Sequence, residues 1–96
     1  MNRKYPVDQL YKAIVSIDSL EECKEFFNDI CTIQEIEKMA QRLEAAQLLL
    51  EGYTYEQVIE KTAISSTTLS RISRCVRYGN GGYKNIIERI EKGQLE

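Results

Sequence analysis

The stretch TYEQVIEKTAISSTTLSRISRCVRY, residues 54–78, decides the fold, because it has the pattern of two short helices joined by a tight turn. Thr54 with Gln57 three residues later forms a capping box, a common start of a helix. Ser65 and Ser66 follow the joint, and their hydroxyl oxygens can accept hydrogen bonds from the free backbone N–H groups of a second helix. The stretch therefore predicts a helix-turn-helix.

The second helix of this motif has one apolar side and one polar side. Leu69, Ile72 and Val76 recur at spacings of three and four residues, which predicts a single buried stripe. The other side carries hydroxyl groups followed by guanidinium groups: Thr67, Ser70, Arg71, Arg74 and Arg77. A helix that is buried on one side and presents hydroxyls and then arginines on the other is typical of a recognition helix.

The rest of the chain has the periodicity of helices joined by short connections. Ser19 with Glu22 and Thr32 with Glu35 are further capping boxes, and Gly52 is placed as a left-handed residue that ends a helix. No segment alternates with a period of two, so we expect no strand. Residues 1–96 are therefore predicted to form one all-α domain of six helices. Outside the motif, the predicted helices cover residues 7–17, 20–31, 33–51 and 83–92.

Two features leave more than one interpretation open. The first helix has a broad apolar face for about three turns, so it either lies deep in the core or covers a second subunit. The glycine-rich run Gly79–Gly82 follows the recognition helix directly. This run is either a plain chain reversal or a hinge that allows the recognition helix to move.

Charge is distributed unevenly along the chain. The net charge is −2, but residues 1–61 carry seven Lys/Arg and twelve Asp/Glu, whereas residues 62–96 carry six and three. Between Thr62 and Ile87 every charged residue is basic. Because a phosphate backbone meets the local field at close range, this part of the chain predicts a small, localised contact with a polyanion.

The residue types disfavour several other functions. The chain has no histidine, and its three cysteines, Cys23, Cys31 and Cys75, form no C-x-x-C pair, so a zinc site would need carboxylates. We expect reduced cysteines, no metal, no cofactor and no enzyme activity. No apolar run has the length of a signal peptide or of a membrane span, so we expect a cytoplasmic protein without a membrane partner.

DNA binding is the function that the second helix of the motif favours. Hydroxyls at a helix N-terminus can contact phosphate oxygens or base edges, and arginines can neutralise phosphates or donate two hydrogen bonds to a guanine. The alternatives are a solvated basic face, or a helical dimer whose motif contacts another protein instead of DNA. The candidate DNA-binding residues are Ser65, Ser66, Thr67, Thr68, Ser70, Arg71, Arg74 and Arg77.

The motif, the preceding segment 48–52 and the closing amphipathic helix resemble the Trp-repressor superfamily. Within it, RCVRYGNGGY at residues 74–83 is most similar to the TrpR-like branch called YerC/YecD, and the likeness covers nearly the whole chain. The resemblance implies six helices per subunit and an intertwined homodimer formed by the helices of residues 1–52. It also implies transcriptional repression through the binding of double-stranded DNA, with residues 54–78 as the DNA-binding motif and residues 83–92 as the closing helix.

The same resemblance makes Arg42 and Arg71 equivalent to the two arginines that hold the indole ring in tryptophan-sensing members. Those members have a glycine after the second arginine, which leaves room beside the ring, whereas this chain has Ile72. A β-branched side chain should fill that room, so we expect no binding of tryptophan. The sequence identifies no other small-molecule effector.

Overall fold

The computed structural model describes residues 4–93, which form six α-helices and no strand. The all-α class is confirmed, and the predicted helix ends lie within two residues of the observed ones. The predicted domain limits, residues 1 and 96, lie outside the described residues. The helices are α1 (Val7–Val15), α2 (Leu20–Ile30), α3 (Ile33–Leu50), α4 (Tyr55–Thr62), α5 (Ser66–Tyr78) and α6 (Gly82–Glu91).

The chain divides into two compact units, of which the first ends at Ile33 and the second begins at Gln34. The first unit contains α1 and α2, and neither helix contains a buried residue. Large apolar side chains remain exposed on both helices, with Val15 exposed to 82% and Leu20 to 57%. A single chain therefore leaves the apolar face of α1 uncovered rather than deep in a core.

One of the predicted capping boxes is complete and another is half formed in the hydrogen bonds at the helix starts. At α4 the box is complete, because Thr54 Oγ1 accepts from the Gln57 N–H at 3.2 Å and the Thr54 N–H donates to Gln57 Oε1 at 2.9 Å. At α2 the Ser19 hydroxyl accepts from the Glu22 N–H at 3.0 Å. The Glu22 carboxylate, however, accepts from the Asp18 N–H at 3.3 Å, one residue earlier than the motif predicts.

The second unit contains α3 to α6, and a tight turn at Gly52 separates α3 from α4. Gly52 has φ +97°, which a residue with a side chain rarely adopts. The Tyr53 N–H donates to the Leu48 carbonyl at 3.0 Å, and the Gly52 N–H donates to the Leu49 carbonyl at 3.1 Å. These two bonds form a Schellman motif, which ends α3 as predicted and turns the chain toward α4.

The turn between α4 and α5 is held by the side chain and backbone of Thr62. Its hydroxyl donates to the Val58 carbonyl at 2.7 Å and accepts from the Ile64 N–H at 3.3 Å. The side-chain amide of Gln41, on α3, donates to the Thr62 carbonyl at 2.7 Å. The next residue, Ala63, has left-handed backbone angles, φ 60° and ψ 20°, which reverse the chain at the cost of some strain.

Replacing Ala63 with glycine should raise the free energy of unfolding by about 0.5–1 kcal/mol. Glycine relieves a left-handed strain of about 1–2 kcal/mol, and the greater freedom of the unfolded chain offsets part of that gain. Urea unfolding followed by circular dichroism measures the effect. Ala40→Gly, at an exposed position inside α3, is the matched control and should lower the stability by about 0.5–1 kcal/mol. A loss of stability in both variants would contradict the interpretation of the turn.

The core of the second unit lies where α5 packs against both α4 and α6. Leu69, on α5, is fully buried, and Ile72, one turn later, is 2% exposed. Fixing α5 through this apolar side determines which of its residues face outward. The buried apolar residues are Ala45, Ala46, Val58, Ile64, Leu69, Ile72 and Ile87.

Candidate nucleic-acid interface

The amino-terminal end of α5 is capped by Ser65, which precedes the first helical residue. The Ser65 hydroxyl accepts from the Thr68 N–H at 3.2 Å and donates to Thr68 Oγ1 at 2.9 Å. Ser66 and Thr67 are exposed, and neither side chain bonds to another described residue. Of the four hydroxyls predicted to contact DNA at this end, the structure engages Ser65 and Thr68 in capping and leaves Ser66 and Thr67 outward.

The exposed side of α5 brings four of the predicted residues onto one face. At about 100° per residue, Ser70, Arg71 and Arg74 lie within about 60° of Thr67 around the helix axis. All four residues are exposed. We call Thr67, Ser70, Arg71 and Arg74 the reading face. The buried Leu69 and Ile72 lie on the opposite side of the same helix.

The reading face is positively charged, and its charges are not neutralised within the described chain. Arg71 and Arg74 form no ion pair with another residue in the range 4–93. The first turn of α5 contains no acidic residue. Two guanidinium groups on a rigid helix can each donate hydrogen bonds to an anionic oxygen, and Arg71 and Arg74 have no internal acceptor that would compete.

Arg77 lies at the edge of this arrangement rather than at its centre. It is about 80° around the axis from Thr67 and about 15 Å further along the helix. Its side chain lines a cleft with a volume of about 390 Å³, together with Tyr53 and Tyr55 from the start of α4 and Ser73 from α5. Arg77 therefore lies at the flank of the reading face, one turn beyond Arg74, and also lines this cleft.

The cleft itself was not evident from the sequence. Tyr53 and Tyr55 are 18 to 24 residues away from Ser73 and Arg77 in the chain, and no local spacing connects the two pairs. The only signal is the aromatic pair beside the capping box, which is equally typical of partly buried structural tyrosines. Lys61 Nζ lies 5.4 Å from the centre of the Tyr53 ring, a cation–π contact that fixes this wall of the cleft.

The two arginines that the resemblance matched to those holding the indole ring both lie in the second unit. Arg42, on α3, and Arg71, on α5, are both exposed. Ile72, which follows Arg71, is 2% exposed and belongs to the apolar core. Its side chain thus occupies packed volume at the position where a glycine would leave space.

Residues 4–93 were also compared with the requirements of a metal site, a disulfide and a membrane-spanning helix. This part of the chain contains no group of three or more His, Cys, Asp or Glu side chains arranged to hold a metal ion. Its three cysteines are free: Cys23 and Cys31 are half-buried and Cys75 is exposed. No described helix is long and apolar enough to cross a membrane.

Comparison with known proteins decides the family. The model of the Trp repressor protein family matches residues 6–91, which is most of the chain. The chain belongs to the Trp repressor family. A relative from Bacillus subtilis (strain 168), the uncharacterised protein YerC, is 46% identical over 90 residues, which are 94% of this chain and 86% of that protein.

Solved structures of similar proteins agree with the family and with its helical fold. A crystal structure of a TrpR-like protein from Eubacterium eligens ATCC 27750 is 45% identical, has a TM-score of 0.83 and covers 98% of this chain and 95% of that one. A candidate Trp repressor from Staphylococcus aureus is 37% identical, has a TM-score of 0.84 and covers 93% and 89%. The resemblance to the TrpR-like branch that the segment RCVRYGNGGY indicated is confirmed.

Proposed function

We propose that this protein is a transcriptional repressor that binds double-stranded DNA as a homodimer in the cytoplasm, without tryptophan as corepressor. Membership of the Trp repressor family supports DNA binding as the class of function. In this proposal, residues 1–52 supply the dimerisation helices, residues 54–78 supply the helix-turn-helix and residues 83–92 close the domain. The reading face of α5 enters the major groove.

The observation that carries DNA binding is the contrast between the two sides of α5. One side is anchored by Leu69 and Ile72 in the core, and the other presents the exposed reading face with two unpaired guanidinium groups. A rigid helix with this contrast can position hydroxyls and arginines against base edges and phosphates without rearranging its own packing. Ser66 adds an exposed hydroxyl at the end that would meet the bases.

The homodimer is supported by the uncovered apolar surface of the first unit. Tyr11 and Val15, neighbours on α1, are 59% and 82% exposed, and Leu20 and Ile30 on α2 are more than half exposed. Adjacent apolar side chains of this size are rare on the surface of a monomer and mark a protein interface. In a twofold dimer the two recognition helices would lie about 34 Å apart, which is one turn of the DNA helix.

We expect L-tryptophan to leave the melting temperature unchanged. In this proposal the space that an indole ring would need is filled by Ile72, a residue that is packed in the core. A ligand present at about 100 times its Kd stabilises a protein by about 2.7 kcal/mol, which a thermal-shift titration with millimolar L-tryptophan would detect easily. Clear stabilisation by tryptophan, absent with the same concentration of L-alanine, would overturn the corepressor-independent part of the proposal.

The proposed DNA binding is tested by selecting fragments of the source genome that the purified protein retains, followed by mobility-shift titrations at rising salt. We expect the selected fragments to share a site with twofold symmetry. We also expect the affinity for this site to fall steeply as the salt concentration rises, because phosphate contacts release counterions. The competing interpretation, a helical dimer whose motif contacts another protein, predicts no retained fragment at any salt concentration. Gel filtration cannot separate the two, since both predict a dimer.

A further inference from the structure

We infer that the cleft beside α5 is a binding site for a small carboxylate with a compact apolar body, such as an arylalkanoate or a branched-chain acid. It is lined by Tyr53 and Tyr55, at the start of α4, and by Ser73 and Arg77 of α5. Leu49 and Val76 also line it. All of these residues belong to the second unit.

Two polar groups in the cleft, the Ser73 hydroxyl and the Arg77 guanidinium, lack a partner within the described chain. Ser73 is 4% exposed, and its side chain bonds to no other residue of the range 4–93. Its hydroxyl oxygen remains accessible to solvent. Because Ser73 lines the cleft, we infer that the hydroxyl is reached from the cleft. Such a hydroxyl can donate a hydrogen bond to a ligand in the cleft without breaking a bond within the described chain.

The charge of the cleft selects an anion. Among residues 4–93, Arg77 is the only charged residue that lines it, and Arg77 forms no ion pair with another residue of that range. Ser73 and Arg77 are four residues apart on α5, so their side chains are neighbours on one side of the helix. A carboxylate can take two parallel hydrogen bonds from a guanidinium and a third from a hydroxyl beside it.

The walls and the size select an apolar body. The cleft offers aliphatic and aromatic surface from Leu49, Val76 and the two tyrosine rings. An inorganic phosphate or sulfate has no apolar part that could cover this surface. A volume of about 390 Å³ is near the lower end of the range of about 300–1,000 Å³ that ligand sites occupy. This site is separate from the positions of Arg42 and Arg71 that tryptophan-sensing members use, because neither residue lines the cleft.

The test is a titration of the ¹⁵N-labelled full-length protein, without DNA, with phenylacetate, 3-phenylpropionate and 4-methylpentanoate. We expect saturable shifts of the Gly52, Tyr53 and Val76 amides for at least one acid, with a Kd on the order of 1 mM for ligands of this size. Phenylacetamide, which has the same shape without the charge, should bind at least about fivefold more weakly than phenylacetate, because it cannot accept a charge-assisted pair of bonds.

Two substitutions on α5 test whether Arg77 is the residue that binds the carboxylate. Arg77→Gln should weaken the binding at least about fivefold, whereas Arg74→Gln, which removes the same charge from the reading face, should leave it unchanged. The inference is overturned if none of the three acids gives saturable shifts up to about 20 mM, well above the affinity expected for ligands of this size. It is also overturned if both variants weaken binding equally or if phenylacetamide binds as tightly as the acid. Since the titration contains no DNA, its result is independent of the proposed function.

Discussion

Replacing Arg71 and Arg74 together with alanine should lower the affinity for the selected DNA site about a thousandfold. A dimer would lose four guanidinium groups from its two reading faces, and contacts of this kind contribute about 1 kcal/mol or more each. A total of about 4 kcal/mol corresponds to about three orders of magnitude in Kd. Fluorescence anisotropy with a labelled fragment, at several salt concentrations, measures both the affinity and its salt dependence.

The salt dependence distinguishes a lost contact from a general loss of charge. If each arginine neutralises one phosphate, the slope of log affinity against log salt should become less steep by about 3–4, since each phosphate contributes about 0.9. The matched control is Lys84→Ala with Arg89→Ala, which removes two exposed basic residues from α6 and should change the affinity much less. An unchanged slope in the α5 variant, or equal losses in both variants, would rule out the assignment of the reading face.

The second large effect is expected at the proposed dimer interface. Tyr11→Asp should raise the dissociation constant of the homodimer about ten-thousandfold, so that the protein becomes monomeric at micromolar concentration. Tyr11 is 59% exposed in the single chain, so its replacement removes little packing within one subunit. In the dimer it would place two unpaired charges in an apolar interface, at about 3 kcal/mol each. Sedimentation equilibrium measures the mass of the particle, which is 11.1 kDa for one chain.

The control for this variant lies on the same helix. Gln9→Asp adds the same charge at an exposed position on the polar side of α1 and should leave the dimer intact. The single chain leaves much of the apolar surface of α1 and α2 uncovered, so the monomer of Tyr11→Asp should also unfold at a lower temperature than the wild-type dimer. A dimer of unchanged affinity would show that α1 does not contribute to the interface.

Much of the fold was predictable from the sequence because its signals are local. The capping box of Thr54 and Gln57, the left-handed Gly52 and the stripe of Leu69 and Ile72 all depend on residues at most four positions apart. The backbone at these positions responds mainly to its immediate neighbours in the chain. Ala63 is the exception, because alanine does not itself favour the left-handed turn that the α4–α5 packing imposes on it.

The candidate site was only partly predictable, because a helix period says which residues share a face but not what approaches that face. Sequence spacing grouped Arg77 with Arg71 and Arg74. The folded chain also lines a cleft with Arg77, together with Tyr53 and Tyr55. Likewise, the sequence offered Ser65 and Ser66 equally as capping residues, and only the hydrogen bonds show that Ser65 caps the helix together with Thr68.

By itself, the sequence determined the six helices, their ends and the division of α5 into a buried stripe and a reading face. These features follow from hydrogen bonds and apolar periodicity within one turn of helix, which act wherever the segment lies. Only the tertiary structure decided that Ser73 opens to a cleft and that Arg77 lies beside it. These facts depend on the packing of α5 against residues that are distant in the chain, which no local pattern encodes.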